Sequence, residues 1–326
     1  MALQLLALQL LLPLGLIAWL ALGPAASRAG IMAQVGATAT VLVAIALAGI
    51  WLFPPWWAPY LYGALLLAAL VHVVRRRGRS IGAFPSGGRA WAGLAGSLML
   101  GILALAVVVA ALVGRRPPDG PVVELGWPLA PGSYLVVNGG STDAVNAHLV
   151  TLDSTVPRYR RWRGNSHALD IVAVDGLGLR AAGLRPADPA AYRIFGARVV
   201  APCAGRVVVA ADGMPDLSVP KTDVVNRAGN HIILRCGAAD VVLAHLRNGT
   251  VAVERGAVVA AGQLLGEVGN SGASDEPHLH IHAQAAGTPE APMSGEPIPV
   301  RIDGGYLVRG SRVRQITRHS DARGTP

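Results

Sequence analysis

Long apolar runs separated by short polar segments occupy residues 1–114 of the chain. The four runs lie at about Leu3–Leu22, Ile31–Phe53, Trp56–Val74 and Trp91–Val113. A helix needs about 20 apolar residues to cross the ~30 Å hydrocarbon core of a bilayer. All four runs approach or reach that length, so the pattern predicts an α-helical membrane segment of about four transmembrane helices.

The pattern changes after Pro121 to short runs of β-type residues that are separated by Gly, Pro, Asn and Asp. Such runs and breaks are typical of strands and turns. The predicted strands are Val199–Val200, Arg206–Ala210, His231–Arg235, Asp240–Ala244, Val251–Val253, Leu264–Val268 and His278–Ala283. No long amphipathic helix is apparent after residue 120. We therefore predict a linker over 115–121, an all-β antiparallel-sheet domain over 122–312 and a tail over 313–326.

Charge is distributed unevenly between these two parts. No Asp or Glu precedes Asp119, whereas the basic residues before it are Arg28, Arg75, Arg76, Arg77, Arg79, Arg89, Arg115 and Arg116. These arginines supply most of the formal net charge of +9, and the remainder of the chain is nearly neutral. The high pI therefore reflects the membrane segment, and we expect no binding of nucleic acid.

The arginines between the third and fourth apolar runs predict the orientation in the lipid bilayer. Loops rich in Lys and Arg stay cytoplasmic. The fourth helix then runs outward, which places the C-terminal domain on the extracytoplasmic side of the cytoplasmic (inner) membrane. The first run could instead be a cleaved signal peptide, but it lacks a basic n-region and cleavage would place the arginine-rich loop outside. We therefore favour a retained, multi-pass anchor.

Cys203 and Cys236 are the only cysteines of the chain. In an oxidising compartment, two cysteines on short strands favour one disulfide. Two buried free thiols are the alternative, because pairing requires Cα atoms within about 7 Å of each other.

Histidines at alternate positions are the sharpest chemical feature of the sequence. His278, His280 and His282 lie in the predicted strand EPHLHIHAQ, where residues i and i+2 face the same way. Three imidazoles on one face each need polar partners. Zinc binding explains the pattern, because zinc accepts imidazole nitrogen and keeps an open coordination position in catalytic sites.

Two more candidates lie in apolar strands upstream. His245 ends the strand VVLAHL, and Asp170 lies inside HALDIVAVD. A carboxylate within an apolar strand must be paired or bound to a metal. A buried, hydrogen-bonded carboxylate is the bland interpretation of Asp170, and a third metal ligand is the alternative once the histidines are considered.

The order and spacing of these motifs carry a family resemblance. Asp170 is followed by GARVVAPCAGRVV, GNHIIL, VVLAHL, GAVVAAGQLLGEVGNSG and PHLHIH. The series resembles lysostaphin-type zinc metallopeptidases, also called LytM-like murein endopeptidases, over about residues 122–303. The resemblance implies an antiparallel sheet with a narrow groove, Asp170 and His280 as zinc ligands, and catalytic roles for His245 and His278. It also implies that the substrate is the peptide crosslink of peptidoglycan.

The first zinc ligand departs from the usual pattern of that family, in which a histidine stands four residues before the aspartate. Position 166 is a serine here, and His167 stands three residues before Asp170. In an extended strand, residues three apart face opposite sides, so His167 fits poorly as a ligand beside Asp170. The sequence resembles a branch of the family with an insertion, read here as NGGSTDAVNAH, which implies that His148 is the first ligand. His167 and a missing ligand are the alternatives. We assign His231 and His282 to structural or supporting positions.

Other functions are compatible with parts of the sequence. A non-catalytic relative that binds cell-wall peptides or regulates another hydrolase would retain the fold, but this chain keeps His245, His278, His280 and Asp170. A biotinyl or lipoyl carrier needs a lysine at a hairpin tip, and the only lysine, Lys221, lies outside that hairpin. A membrane sensor has no positive support, because the apolar runs contain no acidic residue.

Overall fold

The computed structural model describes residues 2–23, 27–77 and 82–316. The segment predicted to lie in the membrane, called the membrane segment below, consists of α1 (Ala2–Leu6), a π-helical stretch (Ala7–Leu11) that leads into α2 (Leu12–Leu22), then α3 (Arg28–Ala48), α4 (Ala58–Arg77) and α5 (Gly88–Val113). Four candidate spans within these helices are long and apolar enough to cross a membrane. The prediction of four long apolar helices is confirmed.

The second of the predicted spans, Ile31–Phe53, ends earlier in the structure than its apolar run indicated. Helix α3 ends at Ala48, and residues 51–57 form turns that contain two prolines. Gln9 holds this loop, because its buried side-chain amide donates to the carbonyls of Ile50 at 2.8 Å and Phe53 at 3.0 Å. Apolar composition alone does not separate a helix from a buried loop of similar hydrophobicity.

The C-terminal domain is built on strands. They are β1 (Val123–Leu125), β2 (Gly132–Asn138), β3 (Leu169–Ala173), β4 (Arg198–Val200), β5 (Gly205–Ala211), β6 (Asn230–Cys236), β7 (Ala239–Leu246), β8 (Val258–Val259), β9 (Leu264–Glu267), β10 (Leu279–Gln284), β11 (Pro297–Ile298), β12 (Val300–Ile302) and β13 (Arg312–Gln315). The helical elements are short: α6 (Pro157–Arg160) and 3-10 turns at Ala147–Leu152, Arg163–His167 and Pro189–Ala191.

A nine-stranded antiparallel sheet organises the domain in the order β13-β2-β3-β10-β7-β6-β5-β8, with β11 beside β10. Two small ribbons flank it, β4–β9 antiparallel and β1–β12 parallel. The mostly antiparallel β domain agrees with the prediction. The segment Val251–Val253 forms no strand, and β13 extends to Gln315, into the segment predicted as a tail.

Both faces of strand β2 are buried, and this determines how the two parts of the chain meet. Tyr134 and Val136 join the core of the domain, whereas Leu135 and Val137 on the opposite face pack against the membrane segment. Alternate residues of a strand point to opposite faces. The apolar run in β2 therefore serves two cores, one of which includes Trp51 from the loop between α3 and α4.

The contacts between helices and domain lie at one end of the helical bundle. The indole nitrogen of Trp57 donates to the carbonyl of Leu177 at 2.9 Å, and Ser141 N donates to the carbonyl of Gly114 at 3.0 Å. At the opposite end, the backbone of Arg28 donates to Gly82 at 2.9 Å. The start of α3 and the described residues just before α5 thus lie away from the domain.

Cys203 and Cys236 form a disulfide across a Cα–Cα distance of 6.0 Å, beside strands β5 and β6. Both side chains pack against the domain core. The bridge matches the interpretation favoured from the sequence and closes a separation of 33 residues.

Candidate metal centre

Asp170 and His280 face each other across neighbouring strands at the centre of the sheet. They are direct partners in the register of β3 and β10, and Oδ1 of Asp170 lies 2.9 Å from Nδ1 of His280. Their exposures are only 6% and 5%. The antiparallel pairing therefore brings together two polar groups that are 110 residues apart in sequence.

His148 completes this group from the 3-10 turn Ala147–Leu152. Its Nε2 lies 2.9 Å from Oδ2 of Asp170. The turn is capped by Asn146, whose Oδ1 accepts from the backbone N–H of His148 at 3.1 Å. The Asn146 amide is fully buried and donates back to Gly140 O at 3.0 Å, and it also contacts the carbonyls of Ser166 and Ala168.

His167 is placed differently from His148. It ends the 3-10 turn before β3. In the described residues, the side chains that could hold a metal ion form two groups, His148 with Asp170 and His280, and His245 with His278 and His280, and His167 belongs to neither. Its Nδ1 is buried without a hydrogen-bond partner there. The structure thus brings His148, rather than His167, to Asp170.

The donor set of His148, Asp170 and His280 fits zinc. One ligand atom from each lies within 4.8 Å of the others. Zinc binds imidazole nitrogen and carboxylate oxygen, and three protein ligands with one open position are typical of catalytic sites. Without a cation, a buried carboxylate in contact with several imidazoles depends on their protonation for charge balance, so the composition of the cluster favours a divalent cation.

His245 and His278 lie beside this group with matched orientations. Nδ1 of His245 donates to Ser271 O at 2.9 Å, and Nδ1 of His278 donates to Glu276 O at 2.8 Å. Their ring centroids are 4.8 Å apart. Because each Nδ1 is engaged by a carbonyl, each Nε2 is left for chemistry.

The backbone of His245 has a φ of 63°, in the left-handed region that non-glycine residues rarely adopt. A buried histidine in this conformation at the end of β7 must be held there by its surroundings. Its N–H donates to Ala228 O at 3.1 Å, and its ring is anchored to Ser271. This backbone conformation directs the imidazole toward His278 and His280 instead of along the strand.

The pKa shifts of Asp170, His245 and His280 favour an ionised carboxylate and neutral imidazoles, whereas the pKa of His278 is shifted toward the protonated form. Burial alone would raise the pKa of Asp170, but the imidazoles of His148 and His278 hold it well below its usual range. Burial lowers the pKa of His280 and, more strongly, that of His245. Burial would also lower the pKa of His278, but the Asp170 carboxylate raises it. Metal binding requires an ionised carboxylate and neutral imidazoles.

His282 and Asn138 support the cluster, and of these two only His282 was assigned a supporting position from the sequence. His282, only 1% exposed, places Nδ1 at 3.1 Å from Nε2 of His280. With the proton on that Nε2, donated to His282, the Nδ1 lone pair of His280 is available to a cation shared with Asp170, and the ring is held in orientation. Asn138, in β2, donates its side-chain N–H to Oδ2 of Asp170 at 2.9 Å. An asparagine at a strand end has many roles, so only the contact reveals this one.

The remaining histidines of the described residues lie outside the cluster. His231 donates from Nδ1 to the carbonyl of Gly229 at 2.7 Å, which is a structural contact within its own strand. His72 lies in α4, and His319 falls outside the described residues. Asn270, Ser271 and Ser274 are fully buried in the segment before β10 and hold it in place.

Comparison with known protein families finds a match within the C-terminal domain. Residues 190–292 match the model of Peptidase family M23. The match includes His245, His278 and His280, but Asp170 and His148 lie before it. The two upstream residues are therefore connected to the other three by the tertiary structure alone.

Solved structures with detectable similarity include peptidases. The catalytic domain of lysostaphin from Staphylococcus simulans is 27% identical, with a TM-score of 0.23; the match covers 30% of this chain and 65% of that one. A zinc containing peptidase from Vibrio cholerae is 20% identical, with a TM-score of 0.23; the match covers 36% and 46%. The chain thus spans less than two thirds of either structure. No curated protein matches it significantly.

Proposed function

We propose that this protein is a membrane-anchored zinc metalloendopeptidase acting on the peptide crosslinks of peptidoglycan. The match of residues 190–292 to the model of Peptidase family M23 supports this proposal. The observation that carries the proposal is the convergence of His148, Asp170 and His280, with ligand atoms within 4.8 Å of one another. A non-catalytic relative of the fold has no need to keep this group together with His245 and His278.

The residues divide into a metal-binding set and a proton-handling set. Zinc held by His148, Asp170 and His280 supplies a Lewis acid that acidifies water and polarises the scissile carbonyl. His278 accepts the proton of the attacking water at Nε2, since its Nδ1–H is engaged by Glu276. His245 stabilises the developing oxyanion by donating from Nε2 in its protonated form, because its Nδ1–H is engaged by Ser271. The reverse assignment of the two roles is the alternative.

The membrane anchor places this chemistry where peptidoglycan lies. The domain contacts the bundle at the end that carries the loop after α3 and the end of α5. The arginines at the start of α3, at the end of α4 and at the start of α5 are at the other end, which the positive-inside rule assigns to the cytoplasm. This arrangement supports an extracytoplasmic catalytic domain on a multi-pass anchor.

Purified full-length protein in detergent provides the test. We expect about one zinc per chain and release of soluble fragments with new amino groups from purified sacculi. A chelator should abolish the release, and added zinc should restore it. Zinc binding without release would identify a non-catalytic relative, and release that is insensitive to the chelator would contradict the proposed metal chemistry.

A further inference from the structure

The end of α3 presents its carbonyl groups to side chains. We define the docking segment as residues 46–57, which covers the end of α3 and the loop before α4. The last carbonyls of a helix have no partner within that helix. Here Ala46 O accepts from the Trp51 indole at 3.3 Å, Leu47 O from Arg115 at 3.4 Å and Ala48 O from Arg309 at 2.8 Å.

Arg309 of the C-terminal domain connects the docking segment with the candidate metal centre. Its side chain is buried, and it donates to the carbonyls of Ala48 at 2.8 Å, Val137 at 2.9 Å and Ala144 at 3.0 Å, and to Oδ1 of Asn138 at 2.6 Å. Because Oδ1 of Asn138 accepts from Arg309, its amide N–H groups are directed to Asp170, at 2.9 Å.

A second buried arginine, Arg180, connects the same segment with His278. It donates from Nε and Nη2 to both carboxylate oxygens of Glu276 at 2.6 and 2.8 Å, and from Nη1 to the carbonyl of Leu52 at 2.8 Å. The carbonyl of Glu276 in turn accepts from Nδ1 of His278 at 2.8 Å. A bidentate pair of this kind restricts both partners in position and orientation.

We propose that the docking segment helps to orient the active site. Arg309 and Arg180 are the positioning residues through which the membrane segment orients Asp170 and His278. The inference rests on the proposed zinc peptidase function and adds to it, because it gives the membrane segment a role besides anchoring. The two arginines act on different parts of the site, one on a metal ligand and the other on a proton acceptor.

The physical basis is the cost of a buried guanidinium. Burial lowers the pKa of Arg309 to about 10, and no ion pair within the described residues includes this side chain. Its charge is balanced by carbonyl dipoles, among them the negative end of α3. Loss of the docking contact leaves an unsatisfied buried donor, which is relieved only if Arg309 shifts and releases Asn138.

Zinc affinity of the full-length protein in detergent tests the Arg309 branch. Arg309→Met removes the donors, and we expect zinc to bind about tenfold more weakly, as is typical when a residue that supports a ligand is lost. Asn138→Ala should have a similar effect, and the double variant should be no weaker than either single variant, because both act through one path.

A matched control comes from the same interface. Arg312 stacks over the ring of Trp56 in the docking segment, with 3.9 Å to the ring centroid, but has no contact with the metal-site residues among the hydrogen bonds described. Arg312→Met should therefore keep the wild-type zinc affinity. A loss in this variant equal to that of Arg309→Met would indicate a general effect of loosened docking and overturn the specific path.

Kinetics on sacculi test the Arg180 branch. Arg180→Lys keeps a positive charge beside Glu276 but cannot contact both of its oxygens and Leu52 at once. We expect kcat to fall about tenfold through misplacement of His278, with KM and zinc affinity unchanged. An unchanged kcat, or a loss that is confined to KM, would contradict this branch.

Thermal unfolding of the zinc-free proteins separates orientation from folding. If Arg309→Met does not fold, Arg309→Lys, which keeps the charge, should still fold and bind zinc with an intermediate affinity. Wild-type affinity in a folded Arg309 variant, or additive losses in the double variant with Asn138, overturns the inference alone. A wild-type protein that binds no zinc contradicts the proposed function itself.

Discussion

At the scale of single residues, the site depends on which nitrogen each imidazole presents. His245 and His278 each donate Nδ1–H to a carbonyl, so both present Nε2. His280 presents Nδ1 to Asp170 and has His282 behind its Nε2. The alternation of His278 and His280 in a strand was predictable because residues of period two share a face. The tautomers follow from backbone carbonyls that the sequence pattern does not identify.

Substitution of His278 and substitution of His280 should impair function in different ways. His280→Ala removes a ligand, and we expect zinc affinity to fall more than about 100-fold, beyond the effect of losing a supporting contact. His278→Ala should keep zinc but lower kcat by about 10²–10⁴-fold, the usual contribution of general acid–base catalysis. Metal analysis and release from sacculi measure the two effects. Full activity of His278→Ala would refute its assigned role.

The first ligand can be identified by a pair of variants. His148 lies 2.9 Å from Asp170, whereas His167 belongs to no group of possible ligands in the described residues. We expect His148→Ala to lose zinc and His167→Ala to keep it, measured by metal content after dialysis. Both remove one histidine from the segment between β2 and β3, so each serves as the control for the other. The reverse result would assign His167 as the ligand.

At the scale of elements, the site is formed by the paired strands β3 and β10 together with the 3-10 turn that carries His148. Strand pairing places Asp170 opposite His280. The insertion between β2 and β3 places His148 through the cap at Asn146, which is tied to the carbonyl that precedes β3. Strand β10 and its neighbours were predictable from short apolar runs, whereas the turn that carries His148 has no periodic signal.

Asn146→Ala should loosen this turn. It removes a cap and leaves buried carbonyls unsatisfied, at a cost of about 1–3 kcal/mol in the free energy of unfolding. We also expect zinc to bind about tenfold more weakly, because His148 loses its support. Thermal unfolding and chelator competition measure both effects.

Asp188→Ala is the matched control for the Asn146 variant. Asp188 caps another 3-10 turn, Pro189–Ala191, through a side-chain contact with Ala190 N, and it is exposed. It should keep the wild-type zinc affinity. Equal losses of zinc in both variants would mean that the cap at Asn146 has no special connection with the site.

At the scale of the whole molecule, the central sheet has a core on both faces near β2 and β3. Leu135, Val137 and Val172 pack with the membrane segment, and alternate residues pack inside the domain. The sheet that carries the site is therefore continuous with the packing of the anchor. Hydropathy predicted two separate parts, because it reports the solvent preference of a segment and carries no information on which surfaces meet.

Leu135→Ala should weaken this joint core. The side chain is 1% exposed, and truncation of such a leucine costs about 2–5 kcal/mol in the free energy of unfolding. Val258→Ala, at a position 69% exposed in β8, should change it by less than about 0.5 kcal/mol. Denaturation of the full-length protein in detergent compares the two. Similar stabilities would indicate that Leu135 has no packing partner in the membrane segment.

The sequence by itself determined the four long apolar helices, the β domain and the common strand face of His278, His280 and His282, because these follow from local hydropathy and from the two-residue period of a strand. Only the tertiary structure decided that His148 rather than His167 meets Asp170, and that Arg309 and Arg180 connect the docking segment with the site. These contacts join residues between 22 and 261 positions apart, and their direction depends on strand register and on the burial of a particular guanidinium. Neither property is encoded in the spacing of nearby residues.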